Sequence, residues 1–139
     1  MGQAIREVMT SDPVTLASDA SAVEAARRMR EADAGAMLVT EGDELRGLLT
    51  DRDIVVRAVA DGRNPAEVQV GEICSADVQA LAPDDDVARA IELMRERHVR
   101  RVPVVEGGRP VGIVSIGDLA IERDRESALA DISAAPGNQ

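Results

Sequence analysis

The sequence predicts a mixed α/β (α+β) fold made of two copies of one unit, each running strand–helix–strand–strand–helix. Three observations carry this expectation. The chain matches itself at one offset of 65 residues, each half holds a helical apolar stripe, and each stripe is followed by two short β-type runs joined at a glycine. At that offset Glu7–Ile54 lies on Glu72–Leu119 without a gap, and 14 of the 48 aligned positions are identical. The matches include Asp12/Asp77, Leu16-Ala17/Leu81-Ala82, Met29-Arg30-Glu31/Met94-Arg95-Glu96, Gly47/Gly112 and Asp53/Asp118.

Each unit opens on a short apolar piece, Val14-Thr15-Leu16 or Val78–Leu81, ahead of a cap signal at Ser18-Asp19 or Pro83-Asp84. A helix follows. Val87, Ala90, Ile91 and Met94 fall at i, i+3, i+4 and i+7, and Ala22, Ala25, Ala26 and Met29 repeat the stripe with smaller side chains. Ala36–Thr40 and Val102–Val105 read as strands, turning at Gly42 or Gly107-Gly108 into Leu45–Thr50 and Pro110–Ser115. A second helix closes each unit, Asp53–Ala60 in the first and Asp118 to about Ile132 in the second. The repeats are thus expected at 7–62 and 71–132, with a connector at 63–70 hinged near Gly62–Pro65 and a flexible tail at 133–139. Neither half covers its own sheet, so the two sheets are expected to pack face to face about a pseudo-twofold.

Composition narrows the chemistry. The 139 residues contain no Phe, Tyr or Trp, and all 16 basic residues are Arg. Schiff-base chemistry and a lysine phosphate clamp are therefore absent, as are aromatic platforms for single-stranded nucleic acid. One His and one Cys are too few for a zinc site of those ligands. The net charge of −10 opposes duplex nucleic-acid binding, although local Arg placement can still hold a small anion. No signal-peptide pattern and no apolar run near 18 residues is present, so a cytoplasmic setting without membrane contact is expected. A single cysteine suits a reducing compartment.

Two motifs stand out, Thr50-x-x-Asp53 and Ser115-x-x-Asp118. A hydroxyl followed three residues later by an acid is a capping box at a helix start. The same groups could equally serve a ligand, and the two roles are compatible. Arg100 and Arg101 precede the strand Val102–Val105, where the first copy has Gly35-Ala36. They either face solvent and pair with acids or make bidentate phosphate contacts. His98 suits a helix end, Met9, Met29, Met37 and Met94 suit a core, and Cys74, aligned with Met9, reads as a small buried hydrophobe. Asp84-Asp85-Asp86 needs no metal, because acids favour a helix N-terminus.

In their order, Val8-Met9-Thr10, Gly47-Leu48-Leu49-Thr50-Asp51-Arg52-Asp53-Ile54, Val102-Pro103-Val104-Val105 and Gly112-Ile113-Val114-Ser115-Ile116-Gly117-Asp118-Leu119 resemble a tandem CBS domain (Bateman) module. The small form with Thr-Asp-Arg-Asp-Ile-Val and Val-Arg-Arg-Val-Pro-Val resembles bacterial hypoxic response proteins. The resemblance implies a non-enzymatic regulatory module that binds an adenine nucleotide (AMP, ADP or ATP) in clefts between repeats and acts on a partner protein in trans. It implies Asp53 and Asp118 as ribose acceptors, Thr50 and Ser115 near phosphate at helix starts, and Arg100 and Arg101 as phosphate contacts. Ribose and phosphate contacts could come from opposite copies, making the Asp53 cleft the stronger one for phosphorylated ligands. A homodimer is expected through the outward helices. The alternative is a ligand-free dimeric scaffold with vestigial clefts. Catalytic residues and metal ligands are expected to be absent.

Overall fold

A computed structural model describes residues 2–123. The end of the second repeat's last helix, expected to reach Ile132, and the tail at 133–139 lie outside the described residues. The chain forms two compact units, and their boundaries are not those of the sequence repeats. One unit contains residues 13–78 together with the turn 107–110; the other contains the described residues 2–12, 79–106 and 111–123.

The unit of residues 13–78 holds a three-stranded sheet in the order β2-β3-β4. Strand β2 (Thr15–Ala17) runs parallel to β3 (Ala36–Glu41), and β3 forms an antiparallel hairpin with β4 (Glu44–Thr50). Helix α1 (Ala22–Ala32) makes the parallel crossover between β2 and β3. Its cap is Ser21, whose hydroxyl accepts the Glu24 N–H at 3.1 Å, rather than the expected Ser18-Asp19, which lies in the preceding turn. The buried face carries Ala22, Ala25 and Met29, while Ala26 is exposed. These side chains meet Leu16, Met37, Val39 and Leu49 of the sheet in one core. Each fully buried Leu, Met or Val contributes about 1.5–3 kcal/mol by leaving water.

The segment 63–70, expected as a connector, contributes two side chains to this core. Val68 and Val70 are buried, and the Val68 carbonyl accepts the Ala22 N–H at 2.9 Å. Helix α3 (Val70–Ile73) follows, and Glu72 accepts the N–H of Gln69 at its start. That bond and the Arg63 guanidinium hold the Glu72 carboxyl below its ordinary pKa. The second helix of the repeat begins earlier than expected and changes register. It is α-helical over α2 (Asp51–Ile54) and π-helical over Val55–Val59, with the Ala60 N–H reaching the Val55 carbonyl five residues back. Three valines, Val55, Val56 and Val59, are left exposed on this segment.

The other unit repeats the plan with the order β1-β6-β5. Strands β5 (Arg101–Glu106) and β6 (Arg109–Ser115) follow α4 (Val87–Arg97), and α5 (Ile116–Arg123) closes the described chain. Val87, Ala90, Leu93 and Met94 are buried on α4, while Ile91 is half-buried, so the buried face is centred closer to Leu93 than the expected stripe. Asp86 caps α4 by accepting the Ala88 N–H at 2.9 Å. Asp85 accepts the Ala82 N–H, and Asp84 pairs with Arg6, so each acid of the triplet has a structural partner. Val78–Leu81 does not form the expected strand; only Leu81 bridges, in parallel, to Val104.

The first residues of the chain complete this second unit. Strand β1 (Thr10–Ser11) pairs antiparallel with β6, and Ile5, in a 3-10 turn over Ile5–Glu7, is fully buried in its core. The equivalent segment of the second copy, Cys74-Ser75, serves the other unit, where Ser75 and Leu48 exchange hydrogen bonds of 2.9 and 3.1 Å. Both crossings need a glycine. A Cβ on Gly47 would lie 2.5 Å from the Ser75 carbonyl oxygen and 2.9 Å from the Cys74 sulfur. A Cβ on Gly112 would lie 2.5 Å from the Met9 sulfur and 3.0 Å from the Thr10 carbonyl oxygen.

Candidate functional site

Strand β4 ends at Thr50 and turns directly into α2, which fixes Thr50 as the N-cap. The Asp53 N–H donates to Thr50 Oγ1 at 3.1 Å, and the Thr50 N–H donates to Asp53 Oδ2 at 2.9 Å. Strand β6 turns into α5 in the same way. The Asp118 N–H donates to Ser115 Oγ at 3.1 Å, and the Ser115 N–H donates to Asp118 Oδ2 at 2.9 Å. Both motifs are therefore closed capping boxes, each worth roughly a kcal/mol or two of helix stability. One oxygen of each aspartate is spent on the cap, and Oδ1 is left without a hydrogen bond among the described residues.

The helix starts differ in how many donors remain. At α2 the Asp51 N–H goes to the Gly35 carbonyl at 3.0 Å, the Arg52 N–H to Asp51 Oδ1 at 2.8 Å, and the Asp53 N–H to Thr50. The N–H groups expected to be free for a phosphate are thus already satisfied there, partly by a carboxylate that opposes an anion. At α5 the Ile116 N–H goes to the Arg100 carbonyl at 2.8 Å, and the positions matching Asp51 and Arg52 are Ile116 and Gly117, which bring no acid.

Arg100 and Gly35 therefore share one backbone role, accepting the first helical N–H of their own repeat. The side chains of Arg100 and Arg101 are exposed and form no ion pair among the described residues. Two residues the sequence reading missed belong to the surroundings of Asp53. Asp51 faces Gly35, where a Cβ would sit 3.3 Å from its carboxylate. Arg57 places its Nε 3.9 Å from Asp53 Oδ1 and donates from Nη1 to the Ile73 carbonyl at 3.2 Å. Its spacing, i+4 from Asp53 on a helix, is the signal that could have found it.

His98 is the left-handed C-cap of α4, as its position at the end of the stripe suggested. Cys74 is buried, and burial pushes its thiol pKa up, in keeping with a small core side chain rather than a nucleophile. Among the described residues no three His, Cys, Asp or Glu side chains gather as a metal site, and no helix is long and apolar enough to cross a membrane. An apolar groove of about 310 Å³ runs between α4 and α5, lined by Ile91, Met94, Val99, Ile116 and Leu119 with Arg95 beside them.

The chain is similar to the CBS domain-containing protein YhcV of Bacillus subtilis, with 35% identity over 133 residues, 93% of this chain and 94% of that one. The crystal structure of Hypoxic Response Protein I with two coordinated zinc ions is similar at a TM-score of 0.79 and 33% identity, covering 86% of this chain and 98% of that chain. A hexameric CBS-CP12 protein from bloom-forming cyanobacteria is similar at a TM-score of 0.74 and 28% identity, covering 96% and 90%. The family model for the CBS domain matches twice, over residues 5–59 and 70–124, so that each match ends just beyond one of the two boxes. With two such matches spanning most of its length, the chain belongs to the CBS domain family.

Proposed function

We propose that this protein binds an adenine nucleotide of the AMP, ADP or ATP type and, as a homodimer, passes its occupancy to a partner protein in trans. CBS-domain proteins are regulatory modules, often nucleotide-binding. Asp53 and Asp118 are assigned to ribose hydroxyls, Thr50 and Ser115 to the helix starts beside them, and Arg100 and Arg101 to phosphate. The observation that supports this most is the state of the two carboxylates. Each is held in one rotamer by its box through Oδ2, while Oδ1 keeps its acceptor capacity. Without aromatic residues the base would lie among aliphatic side chains. The function contains no catalytic step.

Calorimetric titration with AMP and ATP tests it. Asp53→Ala and Asp118→Ala should each weaken their own site about tenfold or more, because a hydrogen bond to a charged group is worth about 1.5–3 kcal/mol. Binding as tight as the parent in both variants overturns the ribose assignment. The ligand-free scaffold is favoured by one observation, the full internal satisfaction of the α2 N–H groups, and wins if neither nucleotide binds the parent protein.

The dimer is supported by apolar surface left open on the helices: Val55, Val56 and Val59 in one unit, Val99 and Ile116 beside the groove in the other. The cyanobacterial CBS-CP12 protein is hexameric, so a similar chain does self-associate. Light scattering at micromolar concentration should report about twice 14.7 kDa; a monomer mass rejects the dimer.

A further inference from the structure

We infer that Arg57 is a positioning residue of the Asp53 site, holding the Asp53 carboxylate in place for a ligand hydroxyl through an anchor on the Ile73 carbonyl. The inference rests on the ribose role proposed above. Asp53 has a side chain only 15% exposed, and Thr50 already fixes its Oδ2. Arg57 Nε stands 3.9 Å from Oδ1, beyond hydrogen-bond distance but well within ion-pair range. The guanidinium therefore attracts Oδ1 without using its lone pairs, and that attraction is stronger beside a half-buried carboxylate than in bulk water.

The anchor is rigid because of what lies behind it. Ile73 ends α3, and its own side chain and that of Cys74 are buried in the core of the unit. Helix α3 is capped in turn by Glu72, which is tied to Arg63 at 2.9 Å. A chain of contacts thus runs from the core through the Ile73 carbonyl and Arg57 to Asp53. The helix carrying Arg57 is π-helical there, with five-residue hydrogen bonds from Ala60 to Val55 and from Arg63 to Ala58. Short π segments recur at functional sites. At the position matching Arg57 the second copy has Glu122, so the arginine itself is not repeated in the sequence.

The test uses the full chain carrying Asp118→Ala, so that calorimetry with AMP reads the Asp53 site alone. Arg57→Gln should weaken AMP three- to tenfold, and Arg57→Lys should recover part of the loss by restoring the charge. Repeated on Asp53→Ala, Arg57→Gln should change affinity less than twofold, since a residue acting through Asp53 has nothing left to position. Equal losses with and without the Asp53 carboxylate overturn the inference. Failure of the reading it rests on appears separately, before any Arg57 variant is made, as absence of AMP binding in the parent or as undiminished binding in Asp53→Ala and Asp118→Ala.

Discussion

The Thr50–Asp53 and Ser115–Asp118 boxes close with the same two distances, 3.1 and 2.9 Å, yet the charges around them differ at nearly every neighbouring position. The first helix starts Asp51-Arg52-Asp53 and carries Arg57 one turn later; the second starts Ile116-Gly117-Asp118 and carries Glu122. The residue that accepts the first helical N–H is Gly35 in one and Arg100 in the other. Geometry and charge are thus set by different residues. The hydroxyl and the acid fix the backbone of the strand-to-helix turn, while the residues between and after them are free to differ, with Asp51-Arg52 and Arg57 in one copy and Ile116-Gly117 and Glu122 in the other.

The comparison is most sharply broken at the glycines under the boxes. Gly47→Ala should destabilise the protein by about 3 kcal/mol and Gly112→Ala by about 1, read as shifts in urea unfolding. Both place a Cβ at 2.5 Å from its nearest neighbour, but against Gly47 that neighbour is the Ser75 backbone and against Gly112 it is the flexible Met9 side chain. Equal losses would show that the two crossings are equally yielding.

A smaller effect separates the electrostatics. Asp51→Asn removes a carboxylate from the start of α2 and should favour ATP over adenosine at the Asp53 site by about two- to fivefold, the scale of one exposed charge. The gain should shrink as salt is added. Loss of affinity instead would mean that Asp51 is itself a ligand contact.

The smallest effect concerns the helix ends, which match across the offset. Asp33 ends α1 at φ 51°, and His98 ends α4 at φ 54°, both left-handed. Glycine takes that conformation without the Cβ penalty, so His98→Gly should stabilise by about 0.5–1 kcal/mol. Asp33→Gly should gain less, because a short polar side chain tolerates the left-handed region better than imidazole. Thermal unfolding of the pair checks the order.

Much of this was legible in the residues. The 65-residue offset announced two copies, the apolar spacing located α1 and α4, and the hydroxyl-x-x-acid pattern marked both capping boxes, although α2 and α5 begin at Asp51 and Ile116, ahead of the expected Asp53 and Asp118. The caps of α1 and α4 were read too early because Ser18-Asp19 and Pro83-Asp84 carry cap-type residues inside the turns that precede the true caps, Ser21 and Asp86. The π segment left no mark, since Val55, Val56 and Val59 fit a helical pattern whether or not they are covered. Ala26 misled by size, a small apolar side chain being at home on either face. The destination of Val8-Met9-Thr10 could not be read, because self-comparison aligns two segments without saying which sheet each one joins. Arg57 was hidden among the other arginines; its i+4 spacing from Asp53 is the one mark in the sequence, and the anchor on Ile73 is visible only in the structure.

The exchanged segments also order events during synthesis. Apart from the turn 107–110, the unit of residues 13–78 has every strand and helix of its core by the time Val78 leaves the ribosome. Ile5, Val8 and Met9 of the other unit are made before residues 13–78, but their partners Leu81, Val87, Val104 and Val114 come after them. The leading segment must therefore wait, its apolar side chains uncovered, while the chain behind it folds. A lesion in residues 2–12 is thus felt in a core built with residues 79–106 and 111–123, from which the whole of 13–78 separates it in sequence.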